Sequence, residues 1–154
     1  MDLKSNSKEE TQLFGREFAK KLQGGQVFAL VGEVGCGKTE FVRGVLAEIA
    51  AEIVVSSPTF SIVNSYETAK FNIYHFDFYR IKNINELFEI GFDEYFTENS
   101  VVFIEWADMF PQALPKGFET IKFEALSENE REISFNFQQQ TKSPAPISPT
   151  LLPK

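Results

Sequence analysis

The sequence predicts a single α/β domain, and three observations support that prediction. The chain has 154 residues, of which 43% are hydrophobic and 24% charged, the size and balance of one globular domain. The continuous apolar run 27–31 is typical of a strand that is buried on both faces of a sheet. A glycine-rich turn follows this strand, and an amphipathic helix begins after the turn, near Gly37. The buried side of this helix is predicted to consist of Phe41, Val42, Val45, Leu46 and Ile49.

A second amphipathic helix is predicted before the buried strand. Ser7 and Glu10 have the spacing of a capping box, in which each residue satisfies a backbone N–H group at the start of the helix. Apolar residues then recur at four-residue spacing, at Phe14, Phe18 and Leu22. The glycine pair 24–25 predicts the end of this helix.

Segments that favour strands dominate the middle of the chain. A short strand is predicted at 53–55, and the runs 60–66 and 71–78 predict an antiparallel hairpin. The polar or small residues between the two runs suit the turn of such a hairpin. Asn85 is predicted to cap a short helix that ends at Gly91.

Three further strands complete the predicted domain. The apolar run 101–104 is a second buried strand, and it ends in Glu105. The segments 120–123 and 131–137 alternate between apolar and polar residues, as half-exposed strands do. The polar turn 127–129 joins them.

The composition changes after the last predicted strand. From residue 138 onwards the chain is rich in Gln, Ser and Pro and has few large apolar residues. Such a segment cannot bury enough surface to offset the entropy lost on ordering it. We therefore predict a folded domain at 1–137 and a disordered tail at 138–154.

Charge and targeting features exclude several classes of protein. The formal net charge is −7, which repels phosphate backbones and disfavours tight, direct binding of DNA or tRNA. Residues 1–10 are polar and lack the apolar core of a signal peptide, and no apolar run approaches the roughly 20 residues that span a bilayer. The single cysteine excludes an intrachain disulfide and fits a reducing compartment. These features predict a cytoplasmic protein that does not bind membranes.

The glycine-rich turn has the sequence of a phosphate-binding loop. Residues 32–39 read Gly-Glu-Val-Gly-Cys-Gly-Lys-Thr, and a strand, G-x-x-x-x-G-K-T and a helix in that order are the P-loop in its required context. The backbone N–H groups of the loop and the N-terminus of the helix are suited to a bound phosphate. Lys38 is expected to reach the β- and γ-phosphates of ATP, and Thr39 to offer its hydroxyl to Mg²⁺.

Two other residues in predicted loops are candidates for a functional role. Cys36 lies at a helix N-terminus, where a thiolate is favoured, so it is either a redox-sensitive residue or a small residue that fits the turn. Thr59 follows Pro58 in a polar break between strands. Such a break could carry a threonine that senses the γ-phosphate, as switch loops do.

Side chains at the ends of predicted strands are candidates for metal binding and catalysis. Glu105 is placed to be the second oxygen ligand of Mg²⁺, or else is a solvent-exposed acid. Asp77 lies among aromatic residues and is either a structural hydrogen-bonding group or a desolvated base with a raised pKa. Trp106 either packs against the core or covers the nucleotide site or a partner surface. His75 is interpreted as a packed or hydrogen-bonded ring.

Five motifs along the chain are specific in combination. They are the P-loop at 32–39, Ser-Pro-Thr-Phe at 57–60, His-Phe-Asp-Phe-Tyr-Arg at 75–80, Gly-Phe-Asp-Glu-Tyr-Phe at 91–96 and Ile-Glu-Trp at 104–106. Their order and spacing resemble those of the TsaE family, also called YjeE, the small ATPases of bacterial threonylcarbamoyladenosine tRNA modification. The resemblance covers residues 8–137.

This resemblance implies a fold and a set of site residues. The family has a three-layer P-loop domain with a mainly parallel central sheet and flanking antiparallel strands. By resemblance, Thr39 and Glu105 hold Mg²⁺, while Asp77 and Lys38 act in catalysis. Glu40 stands where the family often has threonine, which leaves open whether its side chain contacts a phosphate. The implied nucleotide-binding set is Thr11, Glu33, Gly35, Cys36, Gly37, Lys38, Thr39, Glu40, Thr59 and Trp106.

The resemblance also implies a function and partners. Members of the family hydrolyse ATP while bound to a complex of TsaD and TsaB, and TsaD transfers the threonylcarbamoyl group to adenosine 37 of tRNAs that read codons beginning with A. The acidic charge of this chain agrees with a role in which it acts on proteins and contacts tRNA only indirectly. We expect weak ATPase activity from the chain alone and stimulation by its partners.

Two other functions remain open at this stage. A small-molecule kinase usually clamps its substrates with several clustered arginines, whereas the arginines of this chain are scattered along the sequence, at Arg16, Arg43, Arg80 and Arg131. A nucleotide-binding adaptor would bind ATP without turning it over. A GTPase is disfavoured, because the guanine-reading string Asn-Lys-x-Asp is absent.

Overall fold

The computed structural model describes residues 2–50 and 62–136, which form one seven-stranded sheet with helices packed on it. The strands are β1 (Asp2–Ser5), β2 (Val27–Val31), β3 (Val63–Glu67), β4 (Asn72–Asp77), β5 (Ser100–Glu105), β6 (Glu119–Ala125) and β7 (Arg131–Asn136). The α-helices are α1 (Lys8–Ala19), α2 (Lys38–Ile49) and α3 (Asn85–Glu89), and short 3₁₀ helices lie at Phe92–Tyr95, Ala107–Met109 and Pro111–Ala113.

The sheet combines a parallel centre with antiparallel edges. Its strand order is β1-β7-β6-β2-β5-β4-β3. The four central strands β6, β2, β5 and β4 are parallel, whereas β3 pairs antiparallel with β4 on one side, and β7 and β1 extend the other side through antiparallel pairs. This arrangement confirms the predicted α/β class and the predicted mixture of parallel and antiparallel strands.

Apolar side chains cover both faces of the central strands. On β2, Phe28 and Leu30 pack towards α1 and α2, while Val27 and Ala29 pack on the opposite face, towards α3. All six residues of β5 are buried. The two predicted buried strands are therefore confirmed, and their unbroken apolar runs follow from having helical layers on both sides.

Helix α1 begins as predicted but ends earlier. The side chain of Ser7 caps it by accepting a hydrogen bond from the Glu10 backbone N–H at 3.0 Å. The predicted end at the glycine pair 24–25 is wrong, because the helix stops at Ala19. Tighter bonds that span three residues, such as Leu22 N–H to Ala19 O, carry the chain out of the helix before the glycines are reached.

The remaining predicted elements are present with small shifts of their ends. The hairpin forms from β3 and β4, and β6 pairs antiparallel with β7 across the predicted polar turn. The prediction that Asn85 caps α3 is wrong, since Asn85 is the first helical residue and makes no capping contact. Instead, the Asn83 side chain accepts a hydrogen bond from the Asn85 backbone N–H.

One strand was not predicted, and several predicted segments cannot be compared. Strand β1 is polar and has no apolar alternation, because it lies at the edge of the sheet and is ordered by pairing with β7. The predicted strand 53–55, the motif 57–60 and the predicted tail 138–154 lie outside the described residues. Within residues 2–50 and 62–136, no helix is long and apolar enough to cross a membrane.

Candidate functional site

The topology brings several loops together at one edge of the sheet. In the register of the parallel strands, Leu30 on β2 lies beside Glu105 on β5, and Glu105 lies beside Asp77 on β4. Because β7 is antiparallel to β6, its first residue, Arg131, lies at the same edge, next to Ser5 at the end of β1. The glycine-rich loop that follows β2 therefore stands between the ends of β4 and β5 on one side and those of β1 and β7 on the other.

A polar cavity of about 890 Å³ lies at this edge. It is lined by Asn6, Ser7, Lys8, Glu9, Val34, Gly35, Gly37, Lys38, Thr39, Glu40, Asp77, Tyr79, Arg80, Glu105, Trp106, Glu128, Asn129 and Arg131. The lining comes from distant parts of the sequence and includes most of the side chains that the sequence singled out.

Lys38 occupies a confined position at the first turn of α2. It is buried, donates a hydrogen bond to the backbone oxygen of Gly32, and holds its ammonium group 4.0 Å from the centroid of the Trp106 ring. The Tyr79 ring packs against the Trp106 ring, and the two ring centroids are 5.0 Å apart. The contact with an aromatic face stabilises the cation.

Trp106 reaches this position through an uncommon backbone conformation. Its φ of 59° is left-handed, and no other non-glycine residue in the described ranges has a positive φ. Such a conformation costs about 1–3 kcal/mol for a bulky residue. The strain occurs directly after Glu105 and places the indole on the cavity wall beside Lys38.

Glu105, Thr39 and His75 form a cluster of hydrogen bonds on one side of the cavity. The Thr39 hydroxyl donates to Glu105 Oε2 at 3.0 Å, and His75 Nε2 lies 2.5 Å from the same oxygen. Because an ionised carboxylate only accepts hydrogen bonds, the His75 ring donates through Nε2. His75 is fully buried, which confirms the interpretation of a hydrogen-bonded ring. This cluster presents a hydroxyl and a carboxylate, the hard oxygen donors that suit Mg²⁺.

Burial and hydrogen bonding act in opposite directions on Glu105. Burial favours its neutral form and would raise its pKa. The hydrogen bonds from His75 and Thr39, together with the charges of His75 and Lys38, outweigh burial and leave the pKa of Glu105 below its ordinary value. Glu105 is therefore ionised at neutral pH, as a ligand for a cation must be.

Asp77 lies at the end of the neighbouring strand. Its Oδ1 accepts a hydrogen bond from the Tyr79 backbone N–H at 2.9 Å, and its side chain lines the cavity. Burial is the main reason that the pKa of Asp77 is raised, and the negative charge of Glu105 adds to the effect. The two acids are thus tuned in opposite directions, and Asp77 is the better suited of the two to accept a proton.

Comparison with known proteins shows which family the chain belongs to. Residues 5–133 match the family model described as threonylcarbamoyl adenosine biosynthesis protein TsaE. The chain belongs to the TsaE family. The tRNA threonylcarbamoyladenosine biosynthesis protein TsaE of Rickettsia prowazekii is 36% identical over 132 residues, which are 85% of this chain and 91% of that protein. The protein of the same name in Bacillus subtilis is 35% identical over 127 residues, which are 82% of this chain and 79% of that protein.

A solved structure shows the same architecture. The crystal structure of Bacillus subtilis YdiB has a TM-score of 0.76 to this chain at 29% sequence identity, and the match covers 90% of this chain and 86% of YdiB. The fold of this TsaE family member is therefore shared with a protein of known structure.

The structure places the other predicted loop residues at different depths. Gly35 and Gly37 line the cavity, whereas Glu33 and Cys36 are not among its lining residues. Cys36 is buried, and its burial raises the pKa of its thiol despite the nearby charge of Lys38. The thiolate expected from the helix N-terminus is thus disfavoured, and the role of Cys36 as a small residue that fits the turn agrees with its position.

Two further members of the predicted nucleotide-binding set already have protein partners. Thr11 is fully buried, and its hydroxyl lies 2.8 Å from the Ser5 hydroxyl, outside the cavity lining. The Glu40 carboxylate does line the cavity, but it accepts hydrogen bonds from Gln12 at 2.7 Å and from Arg43 at 2.5 Å. A nucleotide contact from either residue remains a prediction, and Thr59 lies outside the described residues.

Sequence reasoning missed the side of the cavity formed by β1 and β7. Glu128, Asn129 and Arg131 line it, as do Asn6 and Ser7, which join β1 to α1. The β6–β7 hairpin is the signal that could have found them. Because β6 runs parallel to β2, the turn between β6 and β7 lies at the same edge of the sheet as the glycine-rich loop.

A second cavity has a different character. It measures about 600 Å³ and lies between α1 and the sheet, where most of its lining is apolar. Its walls include Leu3, Phe14, Phe18, Phe28 and Phe135. None of the predicted site residues lines it, so we place the functional site in the polar cavity.

Proposed function

We propose that this chain is a magnesium-dependent ATPase that binds ATP in the polar cavity. The observation that supports this most directly is the convergence of Lys38, Thr39 and Glu105 at the P-loop. A buried cation, a hydroxyl and an ionised carboxylate meet there within hydrogen-bonding distance of one another or of the loop backbone. These are the groups that hold the phosphates and Mg²⁺ of a nucleotide in P-loop proteins.

In this proposal Lys38 exchanges its partners when ATP binds. Its hydrogen bond to Gly32 and its contact with Trp106 hold the ammonium at the cavity wall. The phosphates then replace these partners, because an ammonium–phosphate contact is stronger than either of them. Thr39 and Glu105 would hold the Mg²⁺ ion. The bound ion would neutralise part of the negative charge of the phosphates.

Asp77 is proposed as the group that prepares the attacking water. It lies beside Glu105 in the sheet register, and its raised pKa lets it accept a proton more readily than an ordinary aspartate. Its hydrogen bond to the Tyr79 N–H holds the carboxylate in place at the cavity. A general base positioned in this way typically contributes about 10²- to 10⁴-fold to a rate.

Family membership supports a biological role for this activity. We propose that the chain takes part in making threonylcarbamoyladenosine at position 37 of tRNAs that read codons beginning with A, by hydrolysing ATP on a complex of TsaD and TsaB. The net charge of −7 favours contact with proteins over contact with the tRNA itself. Hydrolysis by the isolated chain is expected to be slow, with the partners completing the site.

A reconstituted tRNA modification assay tests this function. The assay contains TsaD, TsaB, tRNA and the threonylcarbamoyl donor, with wild-type chain, Lys38→Ala chain or no addition. Phosphate release is followed in the same reactions and in a reaction that contains the wild-type chain alone. We expect repeated rounds of tRNA modification only in the reaction with the wild-type chain. In that reaction phosphate release should also be faster than from the wild-type chain alone.

Two results would favour the alternative functions. Phosphate transfer to a metabolite, with no effect on tRNA modification, would indicate a small-molecule kinase. Tight ATP binding and partner binding without any phosphate release would indicate a nucleotide-binding adaptor. Either result would contradict the proposed ATPase.

A further inference from the structure

The apolar cavity between α1 and the sheet lies at the edge of the sheet opposite to the glycine-rich loop. It is lined by Gln26, which precedes β2, by Glu119 at the start of β6 and by Phe135 near the end of β7. The glycine-rich loop instead follows the end of β2. None of the described residues lines both cavities, so the apolar cavity is separate from the candidate functional site.

The walls of the apolar cavity contain several phenylalanine rings. The Phe18 ring packs edge-on against Phe28 and stacks on Phe135, with centroids 5.0 Å and 5.5 Å apart. Phe14, Phe18 and Phe135 are only partly buried, as is Leu3 on the other wall. A volume of about 600 Å³ is large enough for a ligand or several side chains. Covering this apolar surface would therefore stabilise the protein.

One acid in this cavity lacks a partner. Glu119 is half-buried, and within residues 2–50 and 62–136 its carboxylate forms no hydrogen bond and no ion pair. Burial alone raises the pKa of Glu119. The other charged lining residues, Glu17 and Lys21, are exposed, and Glu17 is paired with Lys20. A cation beside Glu119 would offset the cost of burying its carboxylate.

The chain leaves its last described strand at this cavity. Phe135 lines the cavity, and Asn136 ends β7 opposite Thr120, the residue after Glu119. The chain that continues beyond Asn136 therefore starts beside Glu119 and the phenylalanine rings.

The sequence that follows has a chemistry that suits this surface. Residues 138–154 contain four prolines, the aliphatic residues Ile147, Leu151 and Leu152, two lysines and no acid. Proline-rich segments are extended before they bind, so they lose little entropy when they dock in aromatic-lined grooves. The run Pro-Ile-Ser-Pro at 146–149 has the P-x-x-P spacing of such ligands. The lysines complement the unpaired Glu119.

The connection is long enough to bring this segment back over the cavity. Nine residues, 137–145, separate Asn136 from the P-x-x-P run, and an extended chain of that length spans about 30 Å. Helix α1 has 12 residues and is about 18 Å long. A short tether also gives an effective concentration in the millimolar range, so contacts that are individually weak are sufficient for docking.

We propose that segment 146–152 of this chain docks in the apolar cavity, with its aliphatic side chains against the phenylalanine rings and a tail lysine near Glu119. The inference goes beyond the proposed function and does not depend on it, since no nucleotide is involved. The prediction of a disordered tail at 138–154 considered that segment without a partner surface, and the cavity supplies such a surface.

Nuclear Overhauser effects in the full-length wild-type protein test the inference. The methyl groups of Ile147, Leu151 and Leu152 and the phenylalanine rings are labelled, and no nucleotide is added. We expect cross-peaks between these methyl groups and the rings that line the cavity. Methyl signals with random-coil shifts and no cross-peak to a ring, or cross-peaks only to rings elsewhere in the protein, would overturn the inference.

A mixed sample distinguishes the chain's own tail from that of a second copy. One half of the molecules carries the labelled methyl groups and the other half the labelled rings. We expect no cross-peaks in this sample, because each tail docks on its own domain. Cross-peaks between the two populations would show that the tail of another molecule fills the cavity, which would contradict the proposed docking.

Thermal unfolding of full-length variants measures the contribution of the docked tail. The double variant Leu151→Ser/Leu152→Ser should melt about 2–4 °C below the wild type, the shift expected for a modest loss of stability in a chain of this size. The control Gln138→Ser/Gln139→Ser changes polar residues of the same tail and should melt as the wild type does. A leucine variant that melts at the temperature of the control would overturn the inference.

Discussion

The two sides of the polar cavity contain different buried charged groups. On the side of β4 and β5, Asp77 and Glu105 end neighbouring strands and His75 holds Glu105 in place. On the side of β1 and β7, the buried guanidinium of Arg131 faces the start of α2. Lys38 and Thr39 lie on the loop between them. Under the proposed function, the side with Glu105 and Asp77 is expected to hold the metal ion and to activate water.

Replacing the cation between the two sides should have the largest effect. Lys38→Ala is expected to lower ATP affinity by roughly 100-fold and to remove hydrolysis, since a charged hydrogen bond contributes about 1.5–3 kcal/mol. Calorimetry and phosphate release measure both effects. Lys122→Ala, which removes an exposed lysine from β6, is the matched control. ATP affinity equal to that of the wild type in Lys38→Ala would place the nucleotide elsewhere.

The acidic side should affect turnover more than binding. Asp77→Asn is expected to reduce the partner-stimulated hydrolysis rate by about 100-fold, the lower part of the range for a general base, while ATP affinity stays close to the wild type. Asp93→Asn, at an exposed position, is the control. Normal hydrolysis in Asp77→Asn would assign water activation to another group.

The stability of the same variant provides an independent readout. Because burial raises the pKa of Asp77, the folded state binds its proton more tightly than the unfolded state does. The contribution of Asp77 to stability therefore declines as the pH rises above the ordinary aspartate pKa of about 3.9. Asp77→Asn should melt at the same temperature as the wild type or higher at pH 7, and the difference should shrink towards pH 4. A lower melting temperature at pH 7 would contradict the pKa shift.

The smallest of these effects is expected for the metal ligand. Glu105→Gln keeps the size of the side chain and its hydrogen-bonding oxygen but removes the charge. We expect Mg²⁺ to strengthen ATP binding in the wild type, and this advantage over EDTA to fall by about tenfold in the variant, the effect of losing one charged contact. Glu124→Gln on β6, at an exposed position, should retain the full advantage. An unchanged advantage in Glu105→Gln would exclude Glu105 as a metal ligand.

The acidic side and the glycine-rich loop were predictable from the sequence because their signals are local. Glu105 directly follows an apolar run, and Lys38 and Thr39 lie within one short motif between a strand and a helix. Each of these positions is fixed by the element that it terminates or begins, so no knowledge of the strand order is needed.

The opposite side was not predictable for a physical reason. Arg131 starts a half-exposed antiparallel strand, and only the pairing of β7 with β6 and β1 brings it beside Gly37. Burial was missed for the same reason: Cys36 lies within the loop and Thr11 lies on α1, yet both are buried and neither lines the cavity. Short-range sequence patterns therefore indicated which residues belong to the site. Whether each side chain is buried or reaches the cavity depended on the order of the strands in the sheet.

A crystal of the wild-type protein grown with ADP and Mn²⁺ tests the central claim most directly. Anomalous scattering locates the manganese, which replaces Mg²⁺ at oxygen sites. We expect one strong peak within about 2.5 Å of Thr39 Oγ1, on the Glu105 side, as oxygen-ligated divalent cations require, with the phosphates lying against Lys38. A nucleotide in the apolar cavity, or a metal ion bound away from Thr39 and Glu105, would contradict the account.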